Sequence, residues 1–169
     1  MSDLYVSWDE YYAKIEGLAA QIYHSQWEFD QILCLARGGL RIGDILSRIF
    51  DKPLAILSTS SYGGKNFQER GDLKIAHSIT MTTDTLGKRI LLVDDLVDSG
   101  VTLAQILEWL KQHPEFAITE VRSAVLWFKA CSIAKPDYYI DFLSDNPWIH
   151  QPFEKYEKMH PSDLALISS

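Results

Sequence analysis

The sequence predicts an α/β protein built on a mostly parallel, twisted sheet flanked by helices. Short aliphatic and β-branched runs alternate along the chain with segments whose apolar residues recur at helical spacing. The short runs are continuously apolar rather than alternating with polar residues, the pattern of strands buried on both faces. Polar or glycine-bearing residues directly follow four of them, at 37–39, 58–63, 94–102 and 129. In such sheets ligands bind beyond the carboxyl ends of the strands.

Each element has its own signal. Ser7 precedes Trp8-Asp9-Glu10, a helix start with Glu10 three residues after the cap. Tyr11, Ile15, Leu18, Ala19 and Ile22 then mark one helical face, predicting a helix over 8–24. Gln31–Ala36 is a short apolar run ending in Arg37-Gly38-Gly39, and residues 40–50 return to helical spacing. Pro53 opens another apolar run, Leu54–Leu57. Residues 58–77 are polar and glycine-bearing, too long for a simple connection, and predict a functional loop or a hairpin with a moving tip. Arg89–Val93 is a strand, followed by a polar stretch to Thr102 and a helix through about Lys111. Val121–Phe128 is a strand ending at Lys129, and Asp137–Phe142 is one more.

At 169 residues, 47% of them hydrophobic, the chain has the length and apolar content of one domain. No repeat, low-complexity tract or linker divides 1–169. Asp and Glu number 23 against 16 Lys and Arg, a net charge of −7. That balance argues against nucleic acid, whose affinity comes largely from neutralised phosphates, and against anionic membranes. It leaves room for a local basic pocket. No apolar run approaches the roughly 20 residues that span a bilayer. The start, MSDLYVSWDE, is too polar for a secretory signal, so a soluble cytoplasmic protein is expected. Cys34 and Cys131 make no disulfide framework and are expected to be small core residues.

Residues 90–102, ILLVDDLVDSGVT, carry the most chemistry. Adjacent carboxylates at a strand end repel, and Asp is a poor strand residue. Successive strand side chains face opposite ways, so one Asp can meet a ligand while the other is held by backbone or metal-bound water. A vicinal diol suits a carboxylate, each hydroxyl donating to one oxygen. Asp98-Ser99-Gly100-Val101-Thr102 opens a helix, whose first N–H groups and hydroxyls make an anion cradle. An acidic strand-to-helix loop with an ordinary cap also fits these residues.

The same stretch resembles the phosphoribosyl pyrophosphate (PRPP) motif of the type I phosphoribosyltransferase family. That motif is four apolar residues, two acidic ones, two or three variable ones, then Asp/Thr-Ser/Thr-Gly-x-Thr. The resemblance implies the type I fold with a small hood formed by about 58–77 and 143–155. It implies that Asp94 and Asp95 serve the ribose hydroxyls and a Mg2+ shell, and that Asp98, Ser99, Gly100, Val101 and Thr102 hold the 5′-phosphate. Asp98 resembles the carboxylate beside purine N7 that acts as general acid/base.

Further likenesses follow the chain. Arg37-Gly38-Gly39 matches the family's pyrophosphate loop, though a strand–Gly-Gly–helix turn is also an ordinary structural device. Ser60-Ser61-Tyr62 resembles the Ser-Tyr of a hood that closes over PRPP, with Arg70 or Lys74 as the cation brought into the closed site. Phe128-Lys129 is similar to the bacterial xanthine–guanine enzymes, where the lysine meets purine O6. Asp145-Asn146-Pro147-Trp148-Ile149-His150-Gln151-Pro152 resembles their C-terminal segment, implying that Trp148 stacks on the base and the Ile149 backbone meets its 2-position. Leu96 and Val97 would form an aliphatic wall opposite, and His150 is the open point for selectivity. The resemblance spans roughly 8–155. It implies a Mg2+-dependent purine salvage enzyme of homodimeric or homotetrameric form that uses PRPP and a 6-oxopurine. A different acceptor, or a non-catalytic PRPP- or nucleotide-sensing regulator on the same scaffold, remains open.

Overall fold

The computed structural model describes residues 3–61 and 73–167. A short strand, β1 (Leu4–Tyr5), leads to helix α1 (Trp8–His24). Ser7 Oγ accepts from the Glu10 amide at 3.2 Å, and the Glu10 carboxylate accepts from the Ser7 amide at 2.8 Å. This is the reciprocal cap that the Ser-x-x-Glu spacing predicts. Strand β2 (Gln31–Ala36) and helix α2 (Leu40–Phe50) follow, then β3 (Leu54–Ser61) and β4 (Leu73–Ile75). Next come β5 (Arg89–Val93), β6 (Leu96–Val97), α3 (Val101–Lys111) and β7 (Glu120–Lys129). The chain closes with β8 (Tyr138–Leu143), β9 (Ile149–His150) and the short α4 (Pro161–Ala165).

The main sheet runs β4-β3-β2-β5-β7, with β6 and β8 also paired to β7. Among the described residues its strand pairings are parallel except β3–β4, which is a hairpin that an antiparallel bridge between Ile56 and Thr80 extends. The hairpin borne by 58–77 is therefore present, with β3 running four residues beyond the predicted Leu57. Alternation along the strands feeds two core layers. Ile32, Cys34, Leu91 and Val93 pack with α1 and α2, while Leu33, Leu35, Ile90 and Leu92 pack with α3. Each fully buried Leu or Ile contributes about 1.5–3 kcal/mol by leaving water. Gly43 lets α2 lie close on β2, since a Cβ there would stand 2.7 Å from Cys34 Cβ.

β6 continues β5. Val93 pairs with Ala124 and Leu96 with Trp127, the same offset on either side of Asp94-Asp95. At the break the Asp95 carbonyl accepts from both Leu126 N (2.9 Å) and Trp127 N (3.2 Å). Leu126 and Trp127, adjacent in sequence, both enter the layer under α1, so the face alternation slips by one there. The stretch expected to be a loop from Asp94 is thus an interrupted strand, and the loop begins at Asp98.

The cysteines differ from expectation in one case. Cys34 is buried, and burial pushes its thiol up to about 11. Cys131 is exposed, because it follows the end of β7, outside the core, with Sγ 3.6 Å from the Asp98 carbonyl. No helix among the described residues is long and apolar enough to cross a membrane.

Candidate active site

Parallel strands place their carboxyl ends on one rim, and Arg37, Gly38, Asp94, Asp95, Asp98, Ser99, Gly100 and Thr102 meet there, with Lys129 beside Asp98. A cleft of about 730 Å³ is lined by Arg37, Gly38, Arg41, Thr59, Asp94, Asp95, Thr102 and Gln151 among others. A smaller cavity of about 150 Å³ adjoins it, lined by 94–100 with Thr102, Leu103, Ser123 and Val125.

The acid pair forms the floor. The Asp95 amide donates to Asp94 Oδ1 at 3.0 Å. Desolvation, and then the neighbouring Asp95 charge, hold the Asp94 carboxyl well above the usual carboxylate range. Among the described residues neither carboxylate has a basic ion-pair partner. Gly38 passes directly over the pair, and a Cβ there would stand 2.6 Å from Asp95 Oδ1 and 3.0 Å from Asp94 Oδ1.

Arg37 is exposed on the cleft wall, and the Ala36–Arg37 peptide bond is cis. Gly39 departs from its expected role. Its amide is already bonded to Leu35 O at 2.8 Å, and a Cβ on it would stand 2.4 Å from Val93 O. It lets the turn after β2 pass close over the end of β5, and its N–H is spent on Leu35 rather than offered to an anion.

α3 aims its N-terminus at the same rim. Gly100 caps it with φ +78°, in the left-handed region, and a Cβ there would meet Ser132 Oγ and the Ala134 backbone. Apart from a long 3.4 Å contact of the Val101 amide to Ser99 Oγ, no side chain among the described residues caps this positive helix end. Asp98, Ser99 and Thr102 surround an anion-ready turn.

Carried one residue past β6, the β6–β7 register sets Asp98 opposite Lys129. Lys129 is buried, and its Nζ lies 3.3 Å from Asp98 Oδ2. Leu96 packs in the layer under α1, while Val97 packs in the opposite layer with Phe128. Leu96 and Val97 both line the small cavity, although they pack in different core layers.

Trp148 is 55% exposed, which excludes a core role, and Ile149 after it is buried. β1 holds this segment by parallel pairing, with Leu4 N donating to Trp148 O at 2.8 Å and Val6 N to His150 O at 3.0 Å. The His150 ring stacks on Tyr5 at 4.3 Å, with Nε2 2.9 Å from Asp3 Oδ2 and Nδ1 3.5 Å from Glu154 Oε2. Ser61 ends β3; its side chain, Tyr62 and Arg70 lie outside the described residues.

Two residues escaped the sequence reading. Gln151 is buried and donates through Nε2 to Asp95 Oδ2 at 2.6 Å. Arg41 lines the cleft with its guanidinium 4.4 Å from the Phe153 ring centre. A signal for Gln151 was present, since Ile149 and Gln151 are two apart on an extended segment and share a buried side.

The fold and this rim define a phosphoribosyl-transferring enzyme. The phosphoribosyl transferase domain family matches residues 7–158, and the chain belongs to it; its members are enzymes of the pentosyltransferase kind. It is similar to the xanthine-guanine phosphoribosyltransferase of Idiomarina loihiensis, 27% identical over 155 residues, covering 91% of this chain and 88% of that one. It also resembles the solved purine phosphoribosyltransferase of Pyrococcus horikoshii, at 30% identity and TM-score 0.71, covering 90% of this chain and 94% of that one. The Helicobacter pylori xanthine-guanine-hypoxanthine phosphoribosyltransferase shares the fold at TM-score 0.71 and 22% identity, covering 94% of this chain and 100% of its own.

Proposed function

We propose that this enzyme transfers the 5-phosphoribosyl group from PRPP to a 6-oxopurine, namely xanthine, guanine or hypoxanthine. The products are the nucleoside 5′-monophosphate and pyrophosphate. The observation that carries the choice of base is the Asp98–Lys129 pair, an acceptor and a donor side by side at the strand ends. A 6-oxopurine presents O6 beside N7 on one edge, whereas adenine presents an amino donor at the 6-position. Lys129 donates to O6, and Asp98 manages the proton at N7 as the base attacks C1′ and pyrophosphate departs. Trp148 supplies a sequence-tolerant stacking face, the Ile149 backbone lies beside it, and Leu96 borders the base on the Asp98 side.

For PRPP, the α3 N-terminus with Ser99, Gly100, Val101 and Thr102 takes the 5′-phosphate. Arg37 and Gly38 take pyrophosphate, and Asp94 and Asp95 take the diol. Ser61, Tyr62 and Arg70 belong to the hood in this proposal. The donor set fits Mg2+: two adjacent carboxylates lacking a basic partner among the described residues, where no cluster of three or more His, Cys, Asp or Glu could hold a metal alone. Mg2+ is commonly held by one or two carboxylates plus substrate phosphates and water, and when bound it neutralises charge on the departing pyrophosphate. The protein's own contribution is positioning and charge stabilisation.

The proposal includes a single domain over 1–169, a homodimer or homotetramer, a cytoplasmic setting and no nucleic-acid or membrane partner. Its test is a product assay with PRPP, Mg2+ and a panel of adenine, hypoxanthine, guanine, xanthine and uracil. A 6-oxopurine nucleotide is the expected product. Turnover of adenine or uracil alone would overturn the choice of base.

A further inference from the structure

Gln151 stands between the C-terminal segment and the acid pair with only half of its amide used. Nε2 donates to Asp95 Oδ2 at 2.6 Å. An ionised carboxylate only accepts, so the amide must turn its nitrogen to Asp95 and its oxygen away. That oxygen, Oε1, is buried and has no hydrogen-bond partner among the described residues. Gln151 is only 9% exposed, and it lines the large cleft beside Asp94, Asp95 and Gly38. A buried carbonyl oxygen without a donor marks a place where a donor is missing.

Its backbone is fixed from both sides. The Gln151 carbonyl accepts from the Glu154 amide at 3.0 Å, and His150 just before it is paired to β1. Phe153, two residues on, packs against Trp8 and Tyr11 of α1 and under Arg41 of α2. The side chain therefore reaches the acid pair from a braced support, which makes it suited to hold Asp95 in one orientation.

We infer that Gln151 is a ligand-binding and positioning residue for the ribose of the phosphoribosyl donor and of the nucleotide product. Nε2 fixes Asp95, and Oε1, uncovered as the sugar seats, accepts a hydrogen from a ribose hydroxyl that the same carboxylate engages. The ligand class is a 5-phosphorylated sugar with free vicinal hydroxyls. This rests on the phosphoribosyl-transfer reading above and adds to it a residue that distinguishes ribose from deoxyribose.

The test pairs a change in the protein with a change in the ligand. Guanosine 5′-monophosphate and its 2′,3′-dideoxy counterpart are titrated calorimetrically into wild type, Gln151→Met and Gln151→Leu, with folding checked by circular dichroism. Wild type is expected to favour the ribonucleotide at least tenfold. In both variants that preference is expected to fall to threefold or less, while the dideoxy nucleotide binds about as well as to wild type. If the preference persists while both nucleotides weaken equally, Gln151 is merely structural and the inference fails alone. If wild type binds neither nucleotide nor PRPP, the phosphoribosyl-transfer reading fails and this inference with it. Gln151→Met keeps the side-chain length, so a folding defect in Gln151→Leu leaves the comparison intact.

Discussion

Lys129 is buried at the end of β7, and its ammonium lies 3.3 Å from the carboxylate of Asp98, which is mostly open to solvent. The two ends of this pair are unequal. Removing Asp98 strands a desolvated charge, whereas removing Lys129 leaves a carboxylate that water can satisfy.

Asp98→Asn is therefore expected to destabilise the fold by about 1–3 kcal/mol, and Lys129→Met to leave it nearly unchanged or slightly firmer. In kinetics the order changes. Asp98→Asn should lower turnover far more than PRPP affinity, and Lys129→Met should raise KM for every 6-oxopurine. Denaturant titrations and steady-state assays of both variants decide it, and full turnover by Asp98→Asn would remove its proton-handling role.

Trp148 projects from the surface while its neighbour Ile149 is buried. Trp148→Ala should shift stability by no more than about 0.5 kcal/mol and weaken base binding by about 1–3 kcal/mol, the usual worth of a stacked base. An unchanged KM for the base would place the ring outside the site.

Asp94 is held with a raised pKa by desolvation and by Asp95. A carboxyl whose folded-state pKa is raised adds stability below its unfolded pKa, and that contribution disappears as pH rises through the folded pKa. The ligand-free protein should thus carry a penalty at neutral pH. Asp94→Asn is expected to raise Tm at pH 7, with the gain shrinking as pH falls, and to abolish transfer. A Tm difference that is flat from pH 4 to 8 would show that Asp94 ionises as an ordinary carboxylate.

The two thiols differ in access. Iodoacetamide should alkylate Cys131 and spare Cys34, whose thiol is buried and shifted up to about 11. Because Cys131 Sγ lies 3.8 Å from Asp98 Oδ1, the adduct should inhibit turnover and PRPP should slow its formation. Two adducts on the native protein by mass spectrometry would contradict the burial of Cys34.

Gly38 and Gly39 are adjacent but meet different obstacles. A methyl on Gly38 presses on the Asp95 carboxylate, which can shift, while one on Gly39 presses on the Val93 and Leu35 carbonyls, which cannot. Gly39→Ala should cost several kcal/mol, about 3 or more, in the severe range for single substitutions. Gly38→Ala should fold with a smaller loss and a PRPP KM raised at least tenfold. Equal Tm values for the two would refute the distinction.

Much of this was legible in the sequence because the signals were local. The Ser7–Glu10 cap fixed the start of α1, helical spacing fixed α2, and the acidic pair before Asp98-Ser99-Gly100 located α3 and its turn. What escaped depended on distant partners. The β5–β6 continuation requires β7 to hold both pieces in one register, and Asp94-Asp95 locally argue for a loop. The opposed faces of Leu96 and Val97 follow from that same pairing. Cys131 sits among small residues that look like core until the end of β7 is seen to precede them. Gln151 carries meaning only once Asp95 is beside it.

The pairing of Leu4–Tyr5 with Ile149–His150 joins segments that lie on either side of the whole main sheet in sequence. During synthesis β1 leaves the ribosome before β9 and must wait, unpaired, until the main sheet between them has been made. The acid pair and the anion turn emerge well before Gln151, so the nascent chain carries the residues proposed for the sugar phosphate before the one proposed to brace them. Completion of the cleft therefore follows synthesis of the main sheet, when the segment that closes β1 also delivers Gln151 to the rim.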